Sequence, residues 1–167
     1  MPVTVKRAIL WRTETRNAPG MLARTLFPLA HTRQDLQIVI GYAYPDKAMA
    51  AIEVYPIESR AAAAAASQAG LEQSNFPCLI VTGDNLPGLS YRITRGLSES
   101  GVNLNFFIAQ VIGKKYTALF GFEAQSEADL AAQVIRKATR SVAAVAAPRK
   151  AGSTATRPRR KALRSAR

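Results

Sequence analysis

Hydrophobic and polar positions along the second half of the chain follow a pattern that predicts strands and helices in turn. A short apolar run ended by a glycine, PCLIVTG at 77–83, is typical of a buried strand. The segment 86–101 places apolar residues four positions apart, which predicts one buried helix face. Gly101 stands where that helix should end. The apolar positions of this face are Leu89, Ile93 and Leu97.

The rest of this half predicts two further strands, a helix and a closing strand. Apolar runs at 103–113 and 116–124 predict an antiparallel pair joined by a tight turn. Residues 126–140 predict a helix that opens with Ser126 and Asp129 in capping-box-like spacing. The resulting order, β-α-β-β-α-β, is the ferredoxin-like arrangement. The apolar stripe of the helix and the closing strand are predicted at Leu130, Val134, Ala138 and 141–147.

The first half repeats this pattern at a displacement of 68 residues, as from Asn17 to Asn85. Further matches include Pro19 with Pro87, Gly20 with Gly88, Arg24 with Arg92 and Ala50 with Ala118. One extended segment, 72–83, is predicted to serve both units. The strands and helices of the first unit are predicted at 3–14, 19–32, 35–45, 47–57 and 58–70.

These patterns predict an α+β protein made of two ferredoxin-like βαββαβ units in tandem. Each unit is expected to have an antiparallel sheet with its helices on one face. We expect the first unit at 1–72, the second at 73–147 and a basic, flexible C-terminal tail at 148–167.

Composition changes this picture mainly at the C-terminus. Of the 12 net positive charges, eight come from the last 20 residues, which contain no acidic residue. Such a tail is expected either to bind nucleic acid or an acidic protein in a salt-sensitive way, or to be a solvated extension without a dedicated partner. Both alternatives remain open at this stage.

Hydrophobic residues make up 48% of the 167 residues, which excludes a wholly disordered chain. No apolar run approaches the roughly 18 residues of a membrane-spanning helix, so no membrane contact is expected. The N-terminus is a poor signal peptide, and the single cysteine, Cys78, forms no internal disulfide. We therefore expect a cytoplasmic protein in which Cys78 is a small buried residue.

The segment VTGDNLPGLSYRITRGLSESGVNLNFFIAQ, at 81–110, resembles the ACT domain. The likeness lies in a strand, a polar loop ending in Pro-Gly, an apolar helix, and Gly-apolar-Asn-apolar at 101–104. RNAPGMLART, at 16–25, matches the loop, but 33–36 lack the second signature. The resemblance covers residues 3 to about 147 and is to stand-alone tandem ACT proteins, because no catalytic domain is attached. It implies a non-catalytic regulatory protein that binds an amino acid or related metabolite, with ACT domains paired side by side.

The duplicated loop has the residue types of a carboxylate site. A helix N-terminus leaves amide groups without intrahelical partners and carries the positive end of the helix dipole. Asn17 and Asn85 are expected to cap one such group each, and the glycines to admit a ligand close to the backbone. Asp84 is a candidate acceptor for a ligand ammonium group, whereas Arg16 at the matching position would repel it.

The resemblance implies a ligand between the first loop of one domain and the second strand of its neighbour. Exposed sheet edges and this habit of pairing indicate a homodimer. The candidate ligand-binding residues are Asp84, Asn85, Leu86, Pro87, Gly88, Leu89, Asn103 and Asn105 in the second unit. In the first unit they are Arg16, Asn17, Ala18, Pro19, Gly20 and Met21, with Asp35 and Gln37 as weaker candidates.

Simpler interpretations accompany each candidate. Pro-Gly at a helix start is often turn chemistry alone, and Asn103 fits a turn or strand entry. His31, the only histidine, is expected near a helix C-terminus without a catalytic partner. The residues indicate no metal site, cofactor or nucleophile–base pair, so no enzymatic activity is expected. YTALFGFEA, at 116–124, lacks the basic-glycine element of an RNA-recognition motif.

Overall fold

A computed structural model of the chain describes residues 3–46 and 48–145. Eight strands and four helices lie within these residues, which include neither the tail at 148–167 nor Lys47. Their bounds are β1 Thr4–Ala8, β2 Trp11–Arg16, α1 Met21–Ala30, β3 Ile38–Ala43, β4 Met49–Tyr55, α2 Arg60–Gln68, β5 Glu72–Gln73, β6 Cys78–Asp84, α3 Leu89–Glu99, β7 Phe106–Ile112, β8 Lys115–Gly121 and α4 Gln125–Val145.

The strands form two four-stranded antiparallel sheets, which confirms the predicted α+β class. The first sheet has the order β3-β4-β2-β5 and the second has the order β1-β6-β8-β7. The matched elements keep the displacement of 68 residues as far as β3 and β7. Beyond them the second hairpin is two residues shorter, because Ala43 pairs with Ala50 whereas Val111 pairs with Tyr116. The match of Ala50 with Ala118 is therefore out of structural register.

The prediction of a single first strand at 3–14 is wrong, because this segment divides between the two sheets. β1 pairs with β6 of the second unit, from Thr4 opposite Thr82 to Ala8 opposite Cys78. β2 pairs with β4 of the first unit. The predicted sharing of 72–83 is confirmed, because β5 joins the first sheet and β6 the second.

The predicted closing strand at 141–147 is also wrong within the described residues, because α4 continues to Val145. The position that a closing strand would take beside β6 is occupied by β1. Alanine recurs through SVAAVAA, and alanine has the highest intrinsic helix propensity of any residue. Residues 141–145 therefore extend the preceding helix.

Two details of α4 differ from the sequence-based expectation. The helix begins at Gln125, and Glu127 accepts a hydrogen bond from the Ala124 amide, so Ser126 is not the cap. Leu130 is 42% exposed, although it was expected in the apolar stripe. The buried stripe consists of Ala128, Ala131, Ala132 and Ile135.

A glycine follows the end of both α2 and α3. Gly70 and Gly101 both have positive φ, at 76° and 70°. The following residue, Leu71 or Val102, donates its amide back to the last helical turn. This pattern is the Schellman motif, which satisfies carbonyl groups that the ending helix would otherwise leave without a partner.

The core has a helix-covered part in each unit and a third part between the sheets. In the second unit, Leu79 and Phe120 pack beneath α3 and α4. On the opposite face of that sheet, Cys78, Ile80 and Leu119 form a separate cluster with Ile38, Ile40 and Tyr55 of the first sheet. The two sheets therefore pack face to face. Ala8 and Leu10, where the chain passes from β1 in one sheet to β2 in the other, lie in the same cluster.

Cys78 is 1% exposed and lies in this inter-sheet cluster. Burial, with a smaller contribution from the charge of Glu53, raises the pKa of its thiol to about 12. A buried thiol of this kind is unreactive at neutral pH. The structure therefore confirms the expectation of a small buried residue at this position.

Replacing Gly121 by alanine tests the inter-sheet packing. A Cβ at this position would overlap three ring atoms of Phe106, which packs against the inter-sheet cluster. We expect Gly121→Ala to lower the free energy of unfolding by about 1–3 kcal/mol, measured by urea denaturation. Gly41→Ala is the matched control, because its Cβ would meet nothing within 4 Å. The control should change stability by less than about 1 kcal/mol, and equal effects of the two variants would contradict this packing.

Candidate functional site

Two turn-to-helix junctions, at 16–21 and 84–89, have the same backbone geometry. Gly20 and Gly88 are the N-caps of α1 and α3, with φ/ψ of 85°/−9° and 76°/10°. The next residue in each case, Met21 or Leu89, donates its amide to the carbonyl three positions earlier. Proline at the second position and glycine at the third are the signature of a type II turn. The Pro-Gly pair therefore makes a type II turn that leads directly into a helix.

This geometry corrects the expected role of the asparagines. Asn17 and Asn85 are not the N-cap residues, because Gly20 and Gly88 occupy the N-cap positions. Their backbone amides instead donate to Ala48 and Lys114, respectively, so each loop is fastened to the adjacent hairpin. Pro19 and Pro87 precede the N-cap and lie outside the first helical turn.

The two loops differ in their charged surroundings. In the second unit, the Lys115 ammonium lies 2.6 Å from the Asp84 carboxylate, and the two residues pair across the sheet. Asp84 therefore already neutralises one ammonium group. The Arg92 guanidinium donates a 2.7 Å hydrogen bond to the Pro87 carbonyl, which adds positive charge at this helix start. The first unit has Arg16 where the second has Asp84.

The other candidate residues of the second unit do not all lie together. Leu89 is 2% exposed and Leu86 packs against the same core, so both hold the loop in place. Asn103 and Asn105 are exposed and precede β7, at the end of the sheet where Phe106 lies opposite Gly121. The Asp84 loop lies at the other end of that sheet, where Ile112 lies opposite Lys115. A single copy of the chain therefore does not bring these asparagines to the loop.

In the first unit, a cavity of about 230 Å³ lies beside the turn. The predicted residues Arg16, Asn17, Ala18 and Met21 line it, together with Gly41, Tyr42 and Ala43 of β3. Pro19 and Gly20 are exposed beside it. Asp35 and Gln37 precede β3, so like Asn103 and Asn105 they belong to the far end of their sheet.

A larger cavity, of about 550 Å³, lies between the two sheets. Its walls come from both units and combine four apolar with four polar residues, three of which lie close together. Glu53 is 5% exposed, and its Oε1 accepts a 3.0 Å hydrogen bond from the Tyr42 hydroxyl. Nε of Arg12 lies 3.5 Å from the same oxygen and is buried without a hydrogen bond. The cavity is lined by Arg12, Ile40, Tyr42, Glu53, Phe76, Asn105, Phe106 and Ile108.

Among these lining residues, only Asn105 was a sequence-based candidate. Glu53 carries a recognisable signal, because it is a lone charge within the apolar strand MAAIEVY. A charged side chain in such a strand is rarely buried without a partner. Arg12 carries no comparable signal, because arginine on a strand is ordinary and its partner stands 41 positions along the chain in the cross-strand register.

The other sequence-based predictions concern His31, metal sites, membrane-spanning helices and the basic tail. His31 is exposed at the C-cap of α1, with its ring 4.6 Å from that of Phe27. Among residues 3–46 and 48–145, no group of His, Cys, Asp and Glu is arranged to hold a metal ion. No helix in this part of the chain is long and apolar enough to cross a membrane. The basic tail, and with it the proposed nucleic-acid or acidic-protein contacts, lies outside the described residues.

Comparison with known proteins relates this fold to regulatory structures. The chain matches no protein-family profile and no curated protein sequence. Its structure resembles protein BT0572 from Bacteroides thetaiotaomicron, with a TM-score of 0.64, 13% identity, and coverage of 81% of this chain and 89% of that one. It also resembles the regulatory subunit of aspartate kinase from Thermus thermophilus, with a TM-score of 0.55, 15% identity, and coverage of 83% and 97%.

A third similar structure contains the aspartokinase alpha and beta subunits, with a TM-score of 0.56, 16% identity, and coverage of 84% and 98%. At these identities the likeness establishes the fold. The expected resemblance is thus confirmed at that level: the chain has the fold of tandem ACT-type domains.

The Tyr42–Glu53 contact predicts a loss of stability at alkaline pH. Burial, followed by the nearby Glu53 charge, raises the pKa of Tyr42 from 10.0 to about 12. The neutral phenol is therefore favoured by folding, and this contribution is complete below pH 10 and lost as the pH rises from about 10 through about 12. Tyr42→Phe should remove this component of the alkaline loss, measured by urea denaturation at a series of pH values.

Tyr91→Phe is the control, because it deletes a phenol that is 65% exposed on α3. This variant should follow the wild-type curve more closely than Tyr42→Phe does. An identical alkaline loss in wild type and Tyr42→Phe would show that Tyr42 does not titrate differently in the folded and unfolded states.

Proposed function

We propose that the chain is a non-catalytic regulatory protein that binds a free amino acid or related small metabolite at its turn-to-helix junctions. The observation that carries this proposal is the duplicated junction, in which a type II turn leads into a helix without a side-chain cap. An uncapped helix start presents amide donors and a positive dipole end to a carboxylate. The likeness to the regulatory subunit of aspartate kinase supports this role.

The two junctions are proposed to bind differently. At the second, the ligand carboxylate meets the start of α3 and the Arg92 guanidinium, while Asp84 accepts the ligand ammonium in competition with Lys115. At the first, Arg16 and the start of α1 favour a carboxylate and disfavour an ammonium group. We therefore assign amino-acid binding to the second junction and leave the first for a ligand with carboxylate character alone.

A homodimer would complete the second site. β7 is an edge strand with unusually apolar exposed residues, including Val111 at 49% and Ile112 at 69% exposure. If two copies pair antiparallel along β7, the Asn103 and Asn105 end of one copy lies beside the Asp84 end of the other. The arrangement supplies the two asparagines that one copy places too far from its own loop.

Ligand binding is tested by thermal and chemical unfolding of the full chain in the presence of each of the twenty amino acids. An amino acid at about 100 times its dissociation constant should stabilise the protein by about 2.7 kcal/mol. Asp84→Asn should weaken the binding of that amino acid about tenfold, measured by calorimetry, because a charge-assisted hydrogen bond is lost. Its affinity for the corresponding acid without the amino group should stay unchanged.

Asp129→Asn provides the matched control, because Asp129 is an exposed aspartate on α4 that pairs with Arg7. This variant should bind like wild type. The absence of stabilisation by any amino acid at millimolar concentration would contradict the proposed function.

The dimer is tested by light scattering across a concentration series. Ile112→Lys places a charge on the exposed apolar edge of β7 and should convert a dimer into a monomer. Leu130→Lys makes the same kind of change at a 42% exposed position on α4 and should leave the dimer intact. A monomeric wild-type protein, or a dimer unaffected by Ile112→Lys, would refute this arrangement.

A further inference from the structure

We propose that the cavity between the two sheets is a second ligand site, which takes a small molecule with an ammonium group on an aromatic body. The cavity measures about 550 Å³ and receives side chains from both units. Ligand cavities for small molecules generally span about 300–1,000 Å³ and are apolar with a few convergent polar groups. This site lies on the inner faces of the sheets and is separate from the turn-to-helix junctions.

The buried carboxylate of Glu53 points to the kind of group that is bound. Its Oε1 receives the Tyr42 hydroxyl at 3.0 Å and lies 3.5 Å from Nε of Arg12. Its Oε2 accepts no hydrogen bond from any residue within 3–46 and 48–145. Oε2 is not among the fully buried atoms that lack a hydrogen bond, so it is open to a donor, and a ligand N–H in the cavity would form a charge-assisted hydrogen bond with it. The residue is 5% exposed, so a donor must enter the cavity to reach it.

The local charge balance favours a cation. Glu53 is not the only partner of Arg12, because Nη2 of Arg12 donates hydrogen bonds to Glu14 at 2.9 Å and to the Tyr44 hydroxyl at 2.6 Å. Two carboxylates therefore share one guanidinium, which leaves an excess negative charge beside the cavity. A ligand ammonium would neutralise that excess, whereas a ligand carboxylate would increase it.

The remaining walls suit an aromatic body. Ile40 lies opposite Glu53 on the neighbouring strand, and Phe106 and Ile108 face it from the second sheet. Phe76 closes one side, with the Arg12 guanidinium carbon 6.0 Å from its ring centroid. Aromatic rings pack favourably on aromatic and branched aliphatic side chains. Because the walls come from both sheets, an occupant would bridge the two units.

The test is titration calorimetry of the full chain with three probes that share one aromatic body. Phenethylamine has the ammonium alone, hydrocinnamate has the carboxylate alone, and L-phenylalanine has both. Phenethylamine should bind, and hydrocinnamate should bind at least tenfold more weakly. L-Phenylalanine, titrated into Asp84→Asn to weaken the second junction, distinguishes two sources of the same ammonium chemistry. Tighter binding than phenethylamine that is lost in Glu53→Gln indicates an amino acid whose carboxylate reaches Arg12, and weaker binding indicates a simple amine.

Two variants locate the binding. Glu53→Gln keeps the shape of the side chain and the acceptor for Tyr42 and removes the charge, so phenethylamine affinity should fall at least tenfold. Ile108→Phe fills the cavity from a 43% exposed position and keeps the carboxylate, so it should also abolish binding. Far-ultraviolet circular dichroism establishes that each variant is folded.

The control separates this site from the proposed junction sites. Asp84→Asn should leave phenethylamine binding unchanged, and Glu53→Gln should leave binding at the second junction unchanged. Failure of phenethylamine to bind, binding of hydrocinnamate with equal affinity, or retention of phenethylamine binding by folded Ile108→Phe would each overturn the inference. None of these results bears on the amino-acid site at the second junction.

Discussion

The apolar contact between the two sheets is the interaction on which the arrangement of this molecule depends. Ile38, Ile40 and Tyr55 of one sheet meet Ile80 and Leu119 of the other. Each sheet already has a helix-covered face with its own core, so this contact makes the second face of each sheet an interior surface. It also determines where the sheets separate, and the wedge that opens there is the cavity that contains Glu53.

The pairing of β1 with the second sheet adds a further connection between the two units. The chain passes from the second sheet to the first between Ala8 and Trp11, and returns between β5 and β6. Two crossings therefore join the sheets, and Ala8 and Leu10 from the first crossing are buried in the contact. Under the proposed function, a ligand-induced change in one unit would act on the other through packed side chains, because interfaces of this kind repack in discrete steps.

Local features of the fold were predictable from the sequence because local chemistry decides them. The four-residue spacing of Leu89, Ile93 and Leu97 predicted the position of α3, and the glycine after the helix predicted its end. The pairing partner of β1 was not predictable, because nothing within TVKRA distinguishes one sheet edge from another. Residues 141–145, SVAAV, were misassigned because valine favours strands while alanine favours helices.

The turn-to-helix junctions were predictable in position, but the roles of their residues were not. Sequence spacing could not distinguish Asn85 as a cap from Gly88 as a cap, because that depends on the left-handed backbone at the glycine. The cavity between the sheets depends on residues from four strands and from the segments before β6 and β7, and their proximity follows only from the tertiary packing. The lone Glu53 in an apolar strand was the single local sign of it.

The position of β1 has a consequence for the order in which the protein assembles during synthesis. This strand comes before every other described strand along the chain, yet its partner β6 begins only at Cys78. The first sheet can form all its ladders except β2–β5 once Tyr55 has emerged, whereas β1 must remain unpaired until most of the second unit's central strand is translated. Such long-range pairing slows folding and leaves a strand without its partner in the nascent chain, so we expect β1 to be among the last of the described strands to dock.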